Sequence, residues 1–534
     1  MKQKQKSGFS LFRLFTGLTF KEWKRLKELK GKLKGTDSEA KTSNTSQKTI
    51  TFERMYPDGI CKVKEGFYTK MVEFEDLNYV LLDVNEQAEV LGLYSQLINY
   101  FDPDISFQIF LFNRRAGRDS LVKRFVIPMQ MDRFDSIRKE FSGILKNLCS
   151  KGNNGIIKSK YLIFGIEAKE LKEARSKLNN IEADIIRNFA NIGTIAREVD
   201  GKERLKLIHE FYHQDNLEPF RFSFKEMSVS GKSEKDYVAP SGFDFRFPSR
   251  VKSGRTYGSI HYLDIIAPQM NDELLKRLLD IDSNISISMH MQTMDPVKAI
   301  KMLKGAISNI QKMKIEEQKK AVRGGYDMDI IPPDIVTYEK DTLELLYDLN
   351  SSNQKLIRMT FIIGCFGRNI KEMENLTQRV SGIIQQANCE LRCLQYLQEQ
   401  GINALSPIGI NETGIERVLT TKSTAILIPF NTQELFMEGQ ALYYGLNALS
   451  NNMILADRKK LRTPNGVILG TPGSGKSFSA KREILGTFLV TRDDILICDP
   501  EGEYFPLVGA LGGEVVRLST NSRDYLNPMD IQIS

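Results

Sequence analysis

Residues Gly470-Thr471-Pro472-Gly473-Ser474-Gly475-Lys476-Ser477 place three glycines, a lysine and a hydroxyl in the spacing G-x-x-x-x-G-K-[ST]. That spacing suits the capture of a triphosphate. Closely spaced negative charges need fixed donors, and glycines let successive backbone N–H groups turn inward where a Cβ would clash. A helix that follows directly adds its N-terminal N–H groups and the positive end of its dipole. Gly470, Gly473, Ser474 and Gly475 would then cradle the phosphates, Lys476 would reach the β- and γ-phosphates as the catalytic cation, and the Ser477 hydroxyl would ligate Mg²⁺. The implied cofactors are ATP and Mg²⁺.

A second constellation competes with it. His209-Glu210-Phe211-Tyr212-His213 matches H-E-x-x-H, in which two histidines one helical turn apart hold zinc and the glutamate acts as base. Each pattern arises by chance in roughly 2% of chains of this length, so rarity does not separate them. Glu218 and Glu226 are the candidates for a third ligand. The chain turns soon afterwards at Asp215-Asn216 and Pro219, and His261 and His290 are the only other imidazoles. A positive charge near a helix C-terminus gives His213 a structural reason of its own. The zinc peptidase is the remote alternative.

The phosphate loop also has the flanks it needs. Val467-Ile468-Leu469 reads as a short buried strand before it, and Ser477 to Leu485 as a helix that buries Phe478, Ile484 and Leu485. A second apolar run, Ile495-Leu496-Ile497-Cys498, leads into Asp499-Pro500-Glu501-Gly502-Glu503-Tyr504. Strand, phosphate loop, helix and strand open a parallel α/β nucleotide-binding core of RecA type.

From Thr421 to Tyr504 the chain resembles the conjugative-transfer ATPases of type IV secretion systems, the VirB/TraE/TrbE-like family. The resemblance rests on Ala425-Ile426-Leu427-Ile428 with Pro429 and Phe430, on Tyr443, Tyr444, Gly445 and Asn447, on Pro464-Asn465-Gly466, and on Asp499 to Tyr504. Leu526-Asn527-Pro528-Met529-Asp530 is similar to a further family segment, and Met55-Tyr56-Pro57-Asp58-Gly59 to one in the family's N-terminal domain. The resemblance implies an ATP-binding motor that couples ATP hydrolysis to DNA or protein transfer, in the superfamily of ring-forming DNA translocases. It implies homo-oligomers, hexamers in the family, together with secretion-channel proteins and a coupling ATPase as partners. Asp499, as a metal ligand, and Glu501, as a catalytic residue, match the family's second-strand pattern. They would position Mg²⁺ or water or, with equal weight, close a turn that caps the next element.

Only 58 residues follow Lys476. The family's Walker-B acid on a later strand, and the residue that orients water, have no counterpart after Gly512 to Leu518, which supply one more strand. The expectation is a C-terminally truncated motor domain, in which nucleotide binding is weakened and the chain alone does not hydrolyse ATP. A non-hydrolysing interaction subunit is the alternative function.

The 534 residues, with a formal net charge of +8, are enough for several domains. Residues 1–35 carry eleven Lys or Arg against two Glu, a net +9, which leaves the rest of the chain at about −1. Basicity is thus confined to one tail rather than spread as a nucleic-acid surface. Leu11, Phe12, Leu14, Phe15, Leu18, Phe20 and Trp23 interleave with that charge, as in a partner-docking helix, a solvated tail or a segment that touches anionic lipid. Residues 36–50, rich in Ser, Thr and Lys, read as a flexible linker.

The six cysteines, Cys61, Cys149, Cys365, Cys389, Cys393 and Cys498, show no metal or disulfide spacing, and several sit in apolar runs. A reduced cytoplasmic compartment is expected, peripheral to the inner face of the cell membrane. No apolar run is long enough to span a bilayer, and the N-terminus lacks the continuous apolar stretch of a secretory signal.

The expected organisation is α/β: a tail and linker at 1–50, a mixed α/β N-terminal domain at 51–420, and the incomplete start of a RecA-like P-loop parallel-sheet domain at 421–534. Within the middle region strands are expected at Tyr79–Leu82, Ile105–Phe110 and Leu356–Gly364. Helices are expected at Glu86–Tyr100, Lys169–Arg197, Pro296–Val322 and Lys371–Ala387. No internal repeat is evident.

Overall fold

The computed structural model describes residues 45–77, 79, 82–115, 127–151, 156–215, 217–265, 273–281, 283–324, 327, 332–351, 354–430, 437, 441–446, 453–461, 463–522 and 524. The chain forms two compact units. One comprises residues 1–117 and 156–433, the other 118–155 and 434–534. The basic tail and Leu526–Asp530 lie outside the described residues.

The first unit is built on one antiparallel sheet. Its first half runs β1 (Phe67–Phe74), α1 (Val84–Tyr100), β2 (Ile105–Arg115), β3 (Ile156–Glu167), α3 (Leu171–Ile192) and β4 (Ala196–Glu198). Between β2 and β3 the chain leaves for the second unit and forms α2 (Asp135–Lys151) there. After α4 (Gly201–Tyr212), the second half runs β5 (Thr256–Ile265), α5 (Glu273–Leu279), β6 (Ile285–Thr293), α6 (Pro296–Arg323), α7 (Pro333–Ser351), β7 (Leu356–Gly367), α8 (Ile370–Gln386) and β8 (Cys389–Cys393). A short helix, α9 (Gln398–Leu405), follows.

The strand order is β4-β1-β3-β2 in the first half and β8-β5-β7-β6 in the second. Both are the strand–helix–strand, strand–helix–strand arrangement of a ferredoxin-like unit. The chain therefore contains a topological repeat that its sequence does not display. The helical excursions fall at the same place in both halves, between the second and third strands, and β3 and β7 are both 12 residues long. Strands β2 and β6 pair antiparallel, with Ile109 opposite Met289, and join the halves edge to edge.

Side-chain alternation then supplies two cores. Phe107, Ile109 and Leu111 face the cluster that holds α1, α3, α5 and α8, whereas Phe110 and Phe112 face the cluster that holds α4 and α9. Helix starts are marked locally: Asp83 with Glu86 and Asp200 with Glu203 form capping boxes at α1 and α4. Cys61, Cys365 and Cys389 are buried free thiols.

The helices at 84–100, 171–192, 296–323 and 370–386 and the strands at 105–115 and 356–367 agree with the sequence-based expectations. Of the strand expected at Tyr79–Leu82, only Tyr79 and Leu82 are described, and neither is in a strand. Tyr79 is in a helical turn, Leu82 in a bend, and the strand lies upstream at Phe67–Phe74. Tyr79 makes a core contact there, which an apolar run alone does not distinguish from a strand. The end of the expected linker is also ordered, because Ile50 is buried and Thr49 O accepts a bond from Asn403 Nδ2 at 2.8 Å. Ala425, Leu427, Ile428 and Phe430 pack in the first unit's core.

The second unit contains α2, a two-stranded antiparallel hairpin of β9 (Leu442–Leu446) and β10 (Met453–Ala456), α10 (Lys476–Val490) and α11 (Phe505–Leu511). The parallel sheet expected there is absent among the described residues. Val467–Leu469, Ile495–Cys498 and Gly512–Leu518 have no ladder partner. A parallel strand needs a hydrogen-bonded neighbour and a covered face on each side. Here Leu469 is 87% and Leu496 97% exposed.

Burial holds His209, His261 and His290 neutral, with the pKa of each lowered to about 4. An unfolded chain binds protons at these sites below its ordinary value of about 6.5, so stability falls as pH drops from 6.5 towards 4. Each histidine contributes at most about 1.4 kcal/mol per pH unit in that window. Thermal unfolding measured from pH 7 to 5 should show a falling midpoint, and His290→Gln should flatten that slope.

Candidate functional site

The phosphate-loop residues all fall in the second unit, and their backbone takes the shape the chemistry asks for. Gly473 and Gly475 have φ of 79° and 89°, in the left-handed region that side chains resist. Gly475 is the N-cap of α10, so the helix begins at Lys476 itself. The first helical bond runs from Ser479 N to Gly475 O at 2.9 Å. The N–H groups of Lys476, Ser477 and Phe478 therefore belong to the open first turn, where an anion is favoured. Ser474 N donates to Thr471 O at 3.1 Å and closes the loop on itself. A Cβ at Gly470 would lie 2.3 Å from Ser474 Oγ, so a larger residue there would push the Ser474 side chain aside. These features fit a bound phosphate chain.

Lys476 Nζ donates to Gly470 O at 3.0 Å, folded back across the loop it would use to grip phosphate. The loop residues 470–476 are exposed and Ser477 is half-buried. Phe478, expected on the buried side of the helix, is 76% exposed. The residues α10 buries are Gly486 and Leu489.

What holds α10 is largely polar. Tyr444 Oη donates to Glu483 Oε1 at 3.0 Å, and Arg458 forms an ion pair with Glu483. Arg482 donates to Tyr444 O and lies over the Tyr443 ring at 5.0 Å. The two tyrosines of the family-like segment thus anchor the helix that carries Lys476.

The other support comes from α2. Arg138 is buried, bonded to Asp135 Oδ1 at 2.8 Å and Asp132 Oδ2 at 2.9 Å, and its Nε reaches Leu489 O at 3.3 Å. Hydrogen bonding to Arg138 holds the Asp132 carboxyl below its usual range; for Asp135 the Gln130 N–H leads. Phe134 meets Phe488 edge-on at 4.9 Å, and Phe141 packs with Leu145 and Leu455. Sequence reasoning missed this support. Its local signal was the spacing of Asp132, Asp135 and Arg138, but nothing local reveals a partner some 350 positions away.

Asp499 is placed 29 positions past the loop's Gly470 on the same unit, and its carboxylate closes a turn. Oδ1 accepts from Gly502 N at 3.0 Å and Oδ2 from Tyr504 N at 2.9 Å, directly before α11. The Tyr504 N–H, with other backbone donors, holds its pKa below the usual carboxylate range. Glu501 is exposed in that turn.

The H-E-x-x-H residues lie on α4 and its C-cap, in the first unit. His209 and His213 are buried with their rings stacked at 4.0 Å. His213 Nδ1 donates to His209 O at 2.9 Å, and its Nε2 lies 3.4 Å from Glu218. Glu210 pairs with Arg114 instead of facing a metal position. Among the described residues no group of three or more His, Cys, Asp or Glu is placed to hold a metal ion. No described helix is long and apolar enough to cross a membrane.

No family model matches the chain, and no curated protein is significantly similar to it.

Metal analysis of the purified protein should find no stoichiometric zinc. Zinc at one per chain that is lost on His213→Ala would instead support the peptidase chemistry.

Proposed function

We propose that this chain is a nucleotide-binding component of a conjugative type IV secretion system, with ATP and Mg²⁺ held at Gly470–Ser477. The observation that carries the reading is the run of left-handed glycines, Gly473 and Gly475, directly into the open first turn of α10. On this reading the backbone N–H groups of Gly473 and of residues 475–478 surround the phosphates, while the Ser474 N–H stays on Thr471 O. Lys476 leaves Gly470 O for the β- and γ-oxygens, and Ser477 Oγ faces Mg²⁺. Mg²⁺ would neutralise phosphate charge and polarise the terminal phosphoryl group.

The runs at Val467–Leu469 and Ile495–Cys498 are read as strands of a RecA-like core that need a lateral partner. The assembly would be a homo-oligomer, a hexamer as in the family. It would sit in the cytoplasm beneath secretion-channel proteins and a coupling ATPase, peripheral to the membrane.

A second reading, a subunit that captures nucleotide without turnover, is favoured by Asp499. Both of its oxygens are committed to the turn before α11, which ties this acid to the turn instead of to the loop.

Radiolabelled ATP should bind the purified chain. Lys476→Ala should weaken binding by about 10- to 100-fold, from the ~1.5–3 kcal/mol of a charged hydrogen bond. Unchanged binding would remove the assignment. Phosphate release that disappears in Lys476→Ala supports the motor, and binding without release supports the non-hydrolysing subunit.

A further inference from the structure

Helices α6 and α7 form the excursion of the second half, and they stay with the first unit. Their facing sides pack through Leu303, Leu345 and Leu349 and an ion pair of 2.7 Å between Lys314 and Glu339. The far side of α7 is different. Val336, Leu343 and Tyr347 are 49%, 49% and 69% exposed. At 100° per residue they fall within about 40° of one another on the helix, with Lys340 among them. Beside this stripe, turned by about a quarter of the circumference, runs the row Asp341, Glu344 and Asp348. The whole helix carries five acids against one lysine.

A surface that pairs an apolar stripe with an acidic row fits a segment that is apolar and basic. Such a segment exists in this chain. Between Leu11 and Lys27, eight large apolar residues are interleaved with Arg13, Lys21, Lys24, Arg25 and Lys27, against the single acid Glu22. Its distance along the chain is compatible. The described chain starts at Thr45, and the 17 residues between Lys27 and Thr45 can span at most about 60 Å. The anchor is also near the hairpin's root. Thr49 O is bonded to Asn403, the adjacent Ala404 O accepts from His290 Nε2, and His290 lies on β6, the strand that leads into α6.

We propose that the N-terminal segment, residues 11–27, docks in cis on the exposed apolar and acidic face of α7. The aromatic side chains cover Val336, Leu343 and Tyr347, and the lysines and arginines meet Asp341, Glu344 and Asp348. Burial supplies the affinity, and the opposite charges set the orientation and make docking salt-sensitive.

Trp23 is the only tryptophan of the chain, so its fluorescence reads the segment directly. In the full-length protein at low salt its emission should be blue-shifted and shielded from iodide. Glu344→Lys with Asp348→Lys should abolish both effects, as should raised salt. Lys24→Glu with Arg25→Glu, placed in the tail, should do the same without touching either folded unit. Emission that is solvent-like in the unmodified chain would overturn the proposal. So would a blue shift that survives both charge reversals, one that vanishes on dilution and so marks docking on a second copy, or one that arises only with anionic lipid vesicles and so marks a membrane segment.

Discussion

Pairing of β2 with β6 is the constraint on which the first unit depends. Each half alone would end in a strand with an unmade row of N–H and C=O groups, and edge pairing satisfies both rows at once. The seam is also secured by side chains. Gln108 Nε2 donates to Ser288 Oγ at 2.7 Å and to Ser406 O at 2.9 Å, in the interior where each such bond is costly to lose. Because the two strands run antiparallel, the excursions that follow β2 and β6 leave at opposite ends of the sheet. One becomes α2 of the second unit, and the other becomes the α6–α7 hairpin.

The second unit is organised on different terms. Its core is small, and the phosphate-loop helix is fixed by Glu483, Arg482 and the Arg138 contact to Leu489 more than by apolar burial. Backbone geometry at Gly473 and Gly475 is therefore the part of the site that is most fully built. The parts that depend on lateral strand partners, Val467–Leu469 and Ile495–Cys498, form no ladder, and Leu469 and Leu496 are exposed. A loop whose shape is set by local φ angles does not need the sheet to form. A parallel sheet, in contrast, forms only when neighbours and covering helices arrive together.

That distinction also decides what was legible in the sequence. The helices from Val84, Leu171, Pro296 and Ile370 announce themselves through capping residues and periodicity, which are local. The glycine spacing of the loop is local too, and its geometry follows from residue type. The repeat of two ferredoxin-like halves is invisible because β-ladders are satisfied by many apolar sequences, so the halves share topology without sharing residues. The role of α2 is hidden for a similar reason, since Arg138 meets Leu489 only after the chain has crossed between units. Residue type alone permits Asp499 to be a metal ligand or a turn cap, and the bonds from Gly502 N and Tyr504 N place it in the turn.

Nucleotide capture by the phosphate loop is tested most directly by amide hydrogen exchange across residues 470–480, with and without MgATP. The N–H groups of the open first turn, at Lys476, Ser477 and Phe478, should exchange fast in the free protein and slow when phosphate oxygens accept from them. Slowed exchange confined to this stretch is the expected result. Exchange that is unchanged at saturating MgATP would contradict the assignment.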